Sequence, residues 1–97
     1  MPTFQVTRRF ERDWKQLTPE SRARCQRVIA GQLVPDLARG VFRAGLRVKA
    51  VQAAPGVSGM TWAPDGRATF SHGLWQQAGE PHVIWRRLGT RDIFPEA

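Results

Sequence analysis

The stretch Thr3-Phe4-Gln5-Val6-Thr7-Arg8-Arg9-Phe10-Glu11-Arg12-Asp13-Trp14-Lys15-Gln16-Leu17 changes its apolar period part-way, and that change decides the class of fold. Phe4 and Val6 alternate with polar Thr3, Gln5 and Thr7, the pattern of a short strand. Phe10, Trp14 and Leu17 then fall at helical spacing and share one face, while Arg9, Glu11, Arg12, Asp13 and Lys15 take the rest. A strand that runs straight into an amphipathic helix, with apolar faces on both, calls for a sheet with helices laid on it.

Outward from this stretch the signals continue. Thr18-Pro19-Glu20 starts a second helix: a hydroxyl to cap free amides, a proline where no N–H is needed, and an acid at the positive end of the helix dipole. Cys25, Val28, Ile29 and Leu33 form its apolar stripe, Arg24 and Arg27 lie opposite, Arg22 lies at the margin, and Pro35 is predicted to stop it. Ala38 to Ala44 holds Gly40 without any periodic pattern and reads as a loop. Leu46 to Val51 alternates again, with Leu46, Val48 and Ala50 predicted to face one way and Arg47 and Lys49 the other. Pro55-Gly56 marks a turn. Met60-Thr61-Trp62 and Arg67-Ala68-Thr69-Phe70-Ser71 flank Ala63-Pro64-Asp65-Gly66, where Pro-Asp-Gly supplies a fixed φ and a place for positive φ, so a hairpin is predicted. His72 to Pro81 reads as a loop carrying Trp75, and His82 to Leu88 as a last strand closed by Gly89, before a short tail.

The expected architecture is α+β: an N-terminal strand and a two-helix hairpin packed on one face of a curved antiparallel sheet of four to five strands. Residues 1–97 form a single domain, the size at which one core is the rule. Trp14 and Trp85 sit within apolar patterns and are expected in that core. The helices cover the side of Leu46, Val48 and Phe70, so the uncovered side inherits Arg47, Lys49, Arg67 and one of Arg86 and Arg87.

Charge points to the partner class. Fifteen Lys and Arg against eight Asp and Glu leave a formal +7 and a pI near 11.5, far above what solubility asks of a small domain. Such a field draws polyanions: nucleic acid first, an acidic protein second, anionic lipid third. No apolar run of about 18 residues is present, so no membrane span is expected. One cysteine, Cys25, excludes an internal disulfide, and the N-terminus carries no apolar signal segment, which together suggest a reducing cytoplasm.

Several chemistries are disfavoured. His72, His82 and Cys25 are scattered rather than paired at ligand spacing, so no metal or other cofactor is expected. Gly56, Gly59 and Gly66 do not stand between a strand and a helix, as a phosphate loop requires. Ser58, Ser71, His72 and Asp92 lack a nucleophile elbow. What remains is metal-free RNA cleavage, in which a 2′-hydroxyl attacks the adjacent phosphate. It needs a group to take the 2′ proton, cations on the phosphorane, and a donor to the departing 5′ oxygen. Lys49, His72, His82, Glu80 and Asp92 are the supply for proton transfer. Lys49 stands out, because like charge around a lysine favours its neutral form.

The run Phe4-Gln5-Val6 through Phe10-Glu11-Arg12-Asp13-Trp14-Lys15-Gln16-Leu17, the helix break, Leu46-Arg47-Val48-Lys49, and the ending Val83-Ile84-Trp85-Arg86-Arg87-Leu88-Gly89-Thr90-Arg91-Asp92-Ile93-Phe94 resembles the RelE/ParE superfamily of bacterial toxin–antitoxin toxins. The resemblance spans nearly the whole chain and rests on the order and spacing of its motifs. It implies a RelE-like fold, cytoplasmic location, and a partner antitoxin that lays an acidic or amphipathic helical segment on the toxin. In the RelE-like branch it implies mRNA cleavage on the ribosome; in the ParE-like branch, inhibition of DNA gyrase without chemistry.

By the same resemblance Arg47 and Lys49 match the basic pair on the strand after the helices, and Arg91 matches the arginine of the glycine-x-arginine ending. Lys49, Arg67 and Arg91 are then the expected catalytic set, with Arg47, Lys49, Arg67, Arg86 and Arg87 on the RNA. Two departures stand out. The family's glycine-aromatic-arginine reads Gly56-Val57-Ser58 here, with Arg67 across the hairpin as the expected substitute, and the C-terminal tyrosine is absent from a chain that has none. They leave a third function open, a degenerate toxin that only binds its antitoxin or RNA.

Overall fold

The computed structural model describes residues 3–52, 54–73, 81–90 and 93. Trp75, Glu80, Arg91, Asp92 and Phe94 lie outside the described residues. The elements are strand β1 (Thr3–Val6), helices α1 (Arg8–Gln16), α2 (Pro19–Val28) and α3 (Val34–Arg39), and strands β2 (Lys49–Ala50), β3 (Val57–Thr61), β4 (Arg67–Gly73) and β5 (His82–Gly89). They form one sheet of order β1-β5-β4-β3-β2. The pairs β2/β3, β3/β4 and β4/β5 are antiparallel as expected, but β1 joins β5 in parallel. The sheet is therefore mixed. A parallel pair needs a long crossover between its strands, and here everything from α1 to β4 serves as that crossover.

Local chemistry fixes the helix ends. Thr7 Oγ1 accepts from Phe10 N at 3.2 Å, capping α1, and donates to Arg86 O at 2.8 Å, so one hydroxyl ties the start of the helix to β5. Thr18 caps α2 through Ser21 N at 3.1 Å, with Pro19 in the first turn. The marginal Arg22 donates to Trp14 O and Lys15 O, both at 3.1 Å, satisfying carbonyls that the end of α1 leaves open.

The second helix does not stop at Pro35. It widens into a π-helical turn over Ile29–Leu33 and continues as α3 to Gly40, whose φ of 79° ends it in the left-handed region. Val34 N donates to Ile29 O, five residues back. Proline cannot donate, and its ring clashes with the carbonyl four residues earlier, so a ladder stretched just before it lets the helix pass. Ala38 and Arg39 consequently belong to α3 rather than to a loop.

The predicted strand Leu46–Val51 shrinks to Lys49–Ala50. Leu46 ends a 3₁₀ turn over Ala44–Leu46, and Arg47 takes φ 49° and ψ 45°, which breaks the extended run. The hairpin forms as predicted, yet Gly66 does not adopt positive φ. A glycine is needed there for another reason: a Cβ would lie 2.6 Å from the Trp62 ring. At the far end β4 takes in His72 and Gly73, which the sequence pattern assigns to a loop.

The core lies between the helices and the sheet. Phe70 is fully buried, with ring centroids 5.5 Å from Trp85 and 6.3 Å from Phe42, and Phe10 of α1 lies 5.8 Å from Trp85. Each aromatic pair adds about 0.5–1.5 kcal/mol beyond its area burial. Trp14 and Leu17 pack against this cluster only partly buried. Cys25 is completely enclosed, and burial pushes its thiol up to about 12, which keeps it protonated at neutral pH.

Asp36 closes the helical layer. Its fully buried carboxylate accepts from Arg43 N (2.8 Å), Nε (2.9 Å) and Nη2 (3.0 Å), and from Arg39 Nη2, pinning the segment that leads to β2. The Arg43 side chain above all, helped by its backbone amide, holds this carboxyl well below the usual carboxylate range. A carboxyl depressed in the folded state stabilises it above the unfolded-state value, near about 4, and that contribution drains away as pH falls further. Thermal melts from about pH 7 down to about pH 2 should show stability declining on the acid side. Asp36→Asn should start lower at neutral pH and decline less steeply; an equally steep acid limb in the variant would show that Asp36 is not the group responsible.

Candidate nucleic-acid interface

Strand register places the predicted cations. Lys49 stands opposite Gly59, and the row continues through Thr69 to Arg87. The next row runs Ala50, Ser58, Phe70, Trp85 and Val6, the core side. Lys49 therefore belongs to the side away from the helices, as expected, and it is exposed. That side is not bare, however: Val57, which alternates with Ser58, is buried, and Thr69 has no exposed surface at all.

The other cations are less available than the strand patterns suggest. Arg67 folds back on the hairpin turn, where its Nη1 donates to Ala63 O (3.2 Å), Pro64 O (3.1 Å) and Gly66 O (2.9 Å). Arg87 donates through Nε to Asp13 Oδ2 of α1 at 2.8 Å, and the same oxygen accepts from Leu88 N at 2.9 Å. Arg86 is the extra residue of a β-bulge opposite Thr69 and Phe70, half-buried, with its Nε enclosed and unpartnered. Of the predicted RNA contacts within the described residues, the structure leaves Arg47 and Lys49 exposed, two residues apart at the β2 corner.

Arg47 holds a conformation that side chains avoid. A left-handed residue of this size costs about 1–2 kcal/mol, and Arg47 is the sole non-glycine at positive φ among the described residues. Its amide closes the 3₁₀ turn onto Ala44 O at 3.0 Å. The Asp36 clasp fixes this turn from the preceding side through Arg43.

Neither histidine joins Lys49. His82 is buried against β1, with Nδ1 2.7 Å from Thr3 Oγ1 and Nε2 2.8 Å from Gln5 Oε1, so both ring nitrogens are occupied. His72 is exposed but lies edge-on to Phe70, on the helix side. No group of three His, Cys, Asp or Glu among the described residues is arranged to hold a metal ion, and no helix is long and apolar enough to cross a membrane.

Sequence patterns understated the helices. Arg8, Arg12, Lys15, Arg24 and Arg27 are all exposed on α1 and α2. With Arg39, Arg43 and Arg87 drawn onto Asp36 and Asp13, the helical surface exposes more positive charge than the β2 corner. These arginines had the spacing of an ordinary solvated helix face, and what raises their weight is the pairing of the others.

Solved structures supply the comparison. The chain superposes on YafQ from E. coli with a TM-score of 0.61 at 14% identity, covering 95% of this chain and 96% of that one. Against the E. coli DinJ-YafQ toxin–antitoxin complex the values are 0.63 and 14%, over 94% and 93%. Against the toxin–antitoxin complex RelBE2 from Mycobacterium tuberculosis they are 0.64 and 18%, over 94% and 100%. The chain has the RelE-like fold. No family model and no curated protein sequence matches it.

Within the RelE-like fold the departure at Ser58 can be placed; the one at the C-terminal tyrosine falls outside the described residues. Ser58 pairs with Ala50 and Phe70, so it belongs to the core-side row, and an arginine there would not stand beside Lys49. Arg67 pairs with Thr61 and Gly89, one alternate position further along the side of Lys49, with its Nη1 engaged by the turn. Arg67 therefore stands on the other side of the sheet from position 58 and does not take the place of an arginine there. Replacing Arg47 by glycine separates backbone from charge: Arg47→Gly should leave stability unchanged or raise it by up to about 1 kcal/mol, because relief at positive φ offsets the added freedom of the unfolded chain. In the same variant the log–log salt slope for single-stranded RNA, read by fluorescence anisotropy, should flatten by about 0.7. A lowered melting temperature with an unchanged slope would make Arg47 a purely structural residue.

Proposed function

We propose that this chain is the toxin of a type II toxin–antitoxin module, working in the cytoplasm as a metal-independent endoribonuclease on mRNA held by the ribosome. The observation that carries the reading is the RelE-like fold over nearly the whole chain, shared with proteins crystallised as DinJ-YafQ and RelBE2 toxin–antitoxin complexes. The exposed Arg47 and Lys49 at the β2 corner supply the chemistry. Arg47 binds the scissile phosphate. Lys49 takes the 2′-hydroxyl proton as that oxygen attacks phosphorus, and the 5′ oxygen leaves with a proton from a second donor. Arg91, two residues after Gly89 in the sequence, completes the charge on the phosphorane. Arg67 is assigned to bracing the hairpin. The partner is an antitoxin with an acidic segment, drawn by the +7 charge.

One observation favours a second reading, a toxin-fold protein that binds its antitoxin or RNA without cleaving: among the described residues no histidine stands with Lys49, and Arg67 Nη1 is drawn to the hairpin turn. Expression of the chain alone decides. Growth arrest with new RNA 5′ ends inside translated messages is expected, and purified protein should cut mRNA on programmed ribosomes. Lys49→Ala should slow cleavage by about 100-fold or more, the usual contribution of a proton-transfer group, while leaving the fold intact. Intact message on programmed ribosomes would overturn the endoribonuclease, and inhibition of supercoiling with RNA uncut would assign gyrase as the target.

A further inference from the structure

We propose that the free edge of β1, with the apolar groove beside it, receives a β-strand from a partner protein: an extended segment with apolar residues at alternate positions and acidic residues between them. It deepens the partner half of the toxin reading by naming the conformation and chemistry of the segment that docks.

The backbone comes first. β1 is an outermost strand, bonded on one side to β5. Thr3 N donates to Pro81 O and Thr7 N to Trp85 O, which fixes Thr3, Gln5 and Thr7 as the residues whose backbone groups face β5. By strand alternation, the N–H and C=O of Phe4 and Val6 point outward, and among the described residues nothing pairs with them. Proteins blunt such edges with charges, prolines, bulges or shortness. The opposite edge of this sheet does so, since β2 has only two residues and one is Lys49. β1 is twice as long, and Thr3-Phe4-Gln5-Val6 has no charge, no proline and an unbroken register with β5.

Side chains agree with the backbone. Phe4 and Val6 remain 40% and 43% exposed, although their register with Val83 and Trp85 puts them on the core side. The helical layer does not reach over β1. Between it and α1 lies a groove of about 480 Å³ walled by Phe4, Val6, Phe10, Trp14, Ile29 and Trp85. A strand added beside β1 satisfies the outward N–H and C=O groups and drops every second side chain towards this groove. A docked helix, with its backbone already bonded, would leave Phe4 and Val6 unpaired. The charge of the segment follows from α1, which borders the groove with both Lys15 and Glu11 and tips the balance to positive with exposed Arg8 and Arg12.

The test uses the full chain and two synthetic peptides of equal composition, one of alternating valine and glutamate, the other with the same residues reordered to helical spacing. Amide exchange and tryptophan fluorescence report binding without any step through toxicity. The alternating peptide should bind at least about tenfold more tightly than the reordered one and slow exchange at Phe4 and Val6 by about tenfold or more. Val6→Pro removes one outward N–H without touching the β5 ladder and should weaken the alternating peptide by about tenfold at an unchanged melting temperature. Equal or tighter binding of the reordered peptide, binding without protection of Phe4 and Val6, or no binding of either would overturn the proposal; because protection is read in the unaltered chain, a variant that fails to fold does not blur this. Growth arrest and its relief by a co-expressed antitoxin are scored separately, so the docking edge and the toxin reading can fail independently.

Discussion

Trp85 is the point from which the rest of the molecule is built. Its ring meets Phe10 of α1 and Phe70 of β4, its carbonyl accepts from Thr7 at the start of the chain, and its strand row continues into Val6. One side chain near the C-terminal end therefore sets where the first strand lies and where the first helix sits on the sheet. The parallel pairing of β1 follows, as does the uncovered strip over Phe4 and Val6, because α1 is held above β5 and not above the edge. Truncating a buried aromatic of this kind removes about 3–5 kcal/mol, a large share of the stability of so small a domain.

Two carboxylates then decide where the positive charge is felt. Asp36 gathers Arg39 and Arg43, and Asp13 holds Arg87 together with the amide of Leu88. These arginines neutralise buried acids and position the turn before β2 and the bulge of β5. The net +7 is consequently displayed at two places, the Arg47–Lys49 corner and the outer faces of α1 and α2. A nucleic acid contacting the first and an acidic strand beside α1 would occupy different parts of the surface, so silencing by a partner need not mimic the substrate.

Much of this was legible in the sequence where a residue's effect is local. The Thr18 start of the second helix, the Pro64-Asp65-Gly66 hairpin and the core placement of Trp85 depend on neighbours a few residues away, and all are found. The α+β class followed from the change of period after Val6. What depended on distant partners was not legible. Pro35 normally ends a helix, and only the widened turn before it lets α3 continue. Arg47 in a left-handed conformation cuts a run that alternates well on paper. Arg67 alternates to the expected side, yet three turn carbonyls within four residues capture its Nη1 before any ligand can. Phe4 and Val6 alternate as a buried strand face should, and their exposure shows only once the helices are placed.

The central claim is that RNA is met by the exposed Arg47 and Lys49 at the β2 corner, not by the basic helices. Backbone amide shifts on titration with a short single-stranded RNA test it most directly. The account predicts that they concentrate at Arg47, Val48 and Lys49, with the paired Gly59 following, and spare Arg8, Arg12, Arg24 and Arg27. Shifts confined to α1 and α2, with Lys49 and Gly59 unmoved, would contradict it.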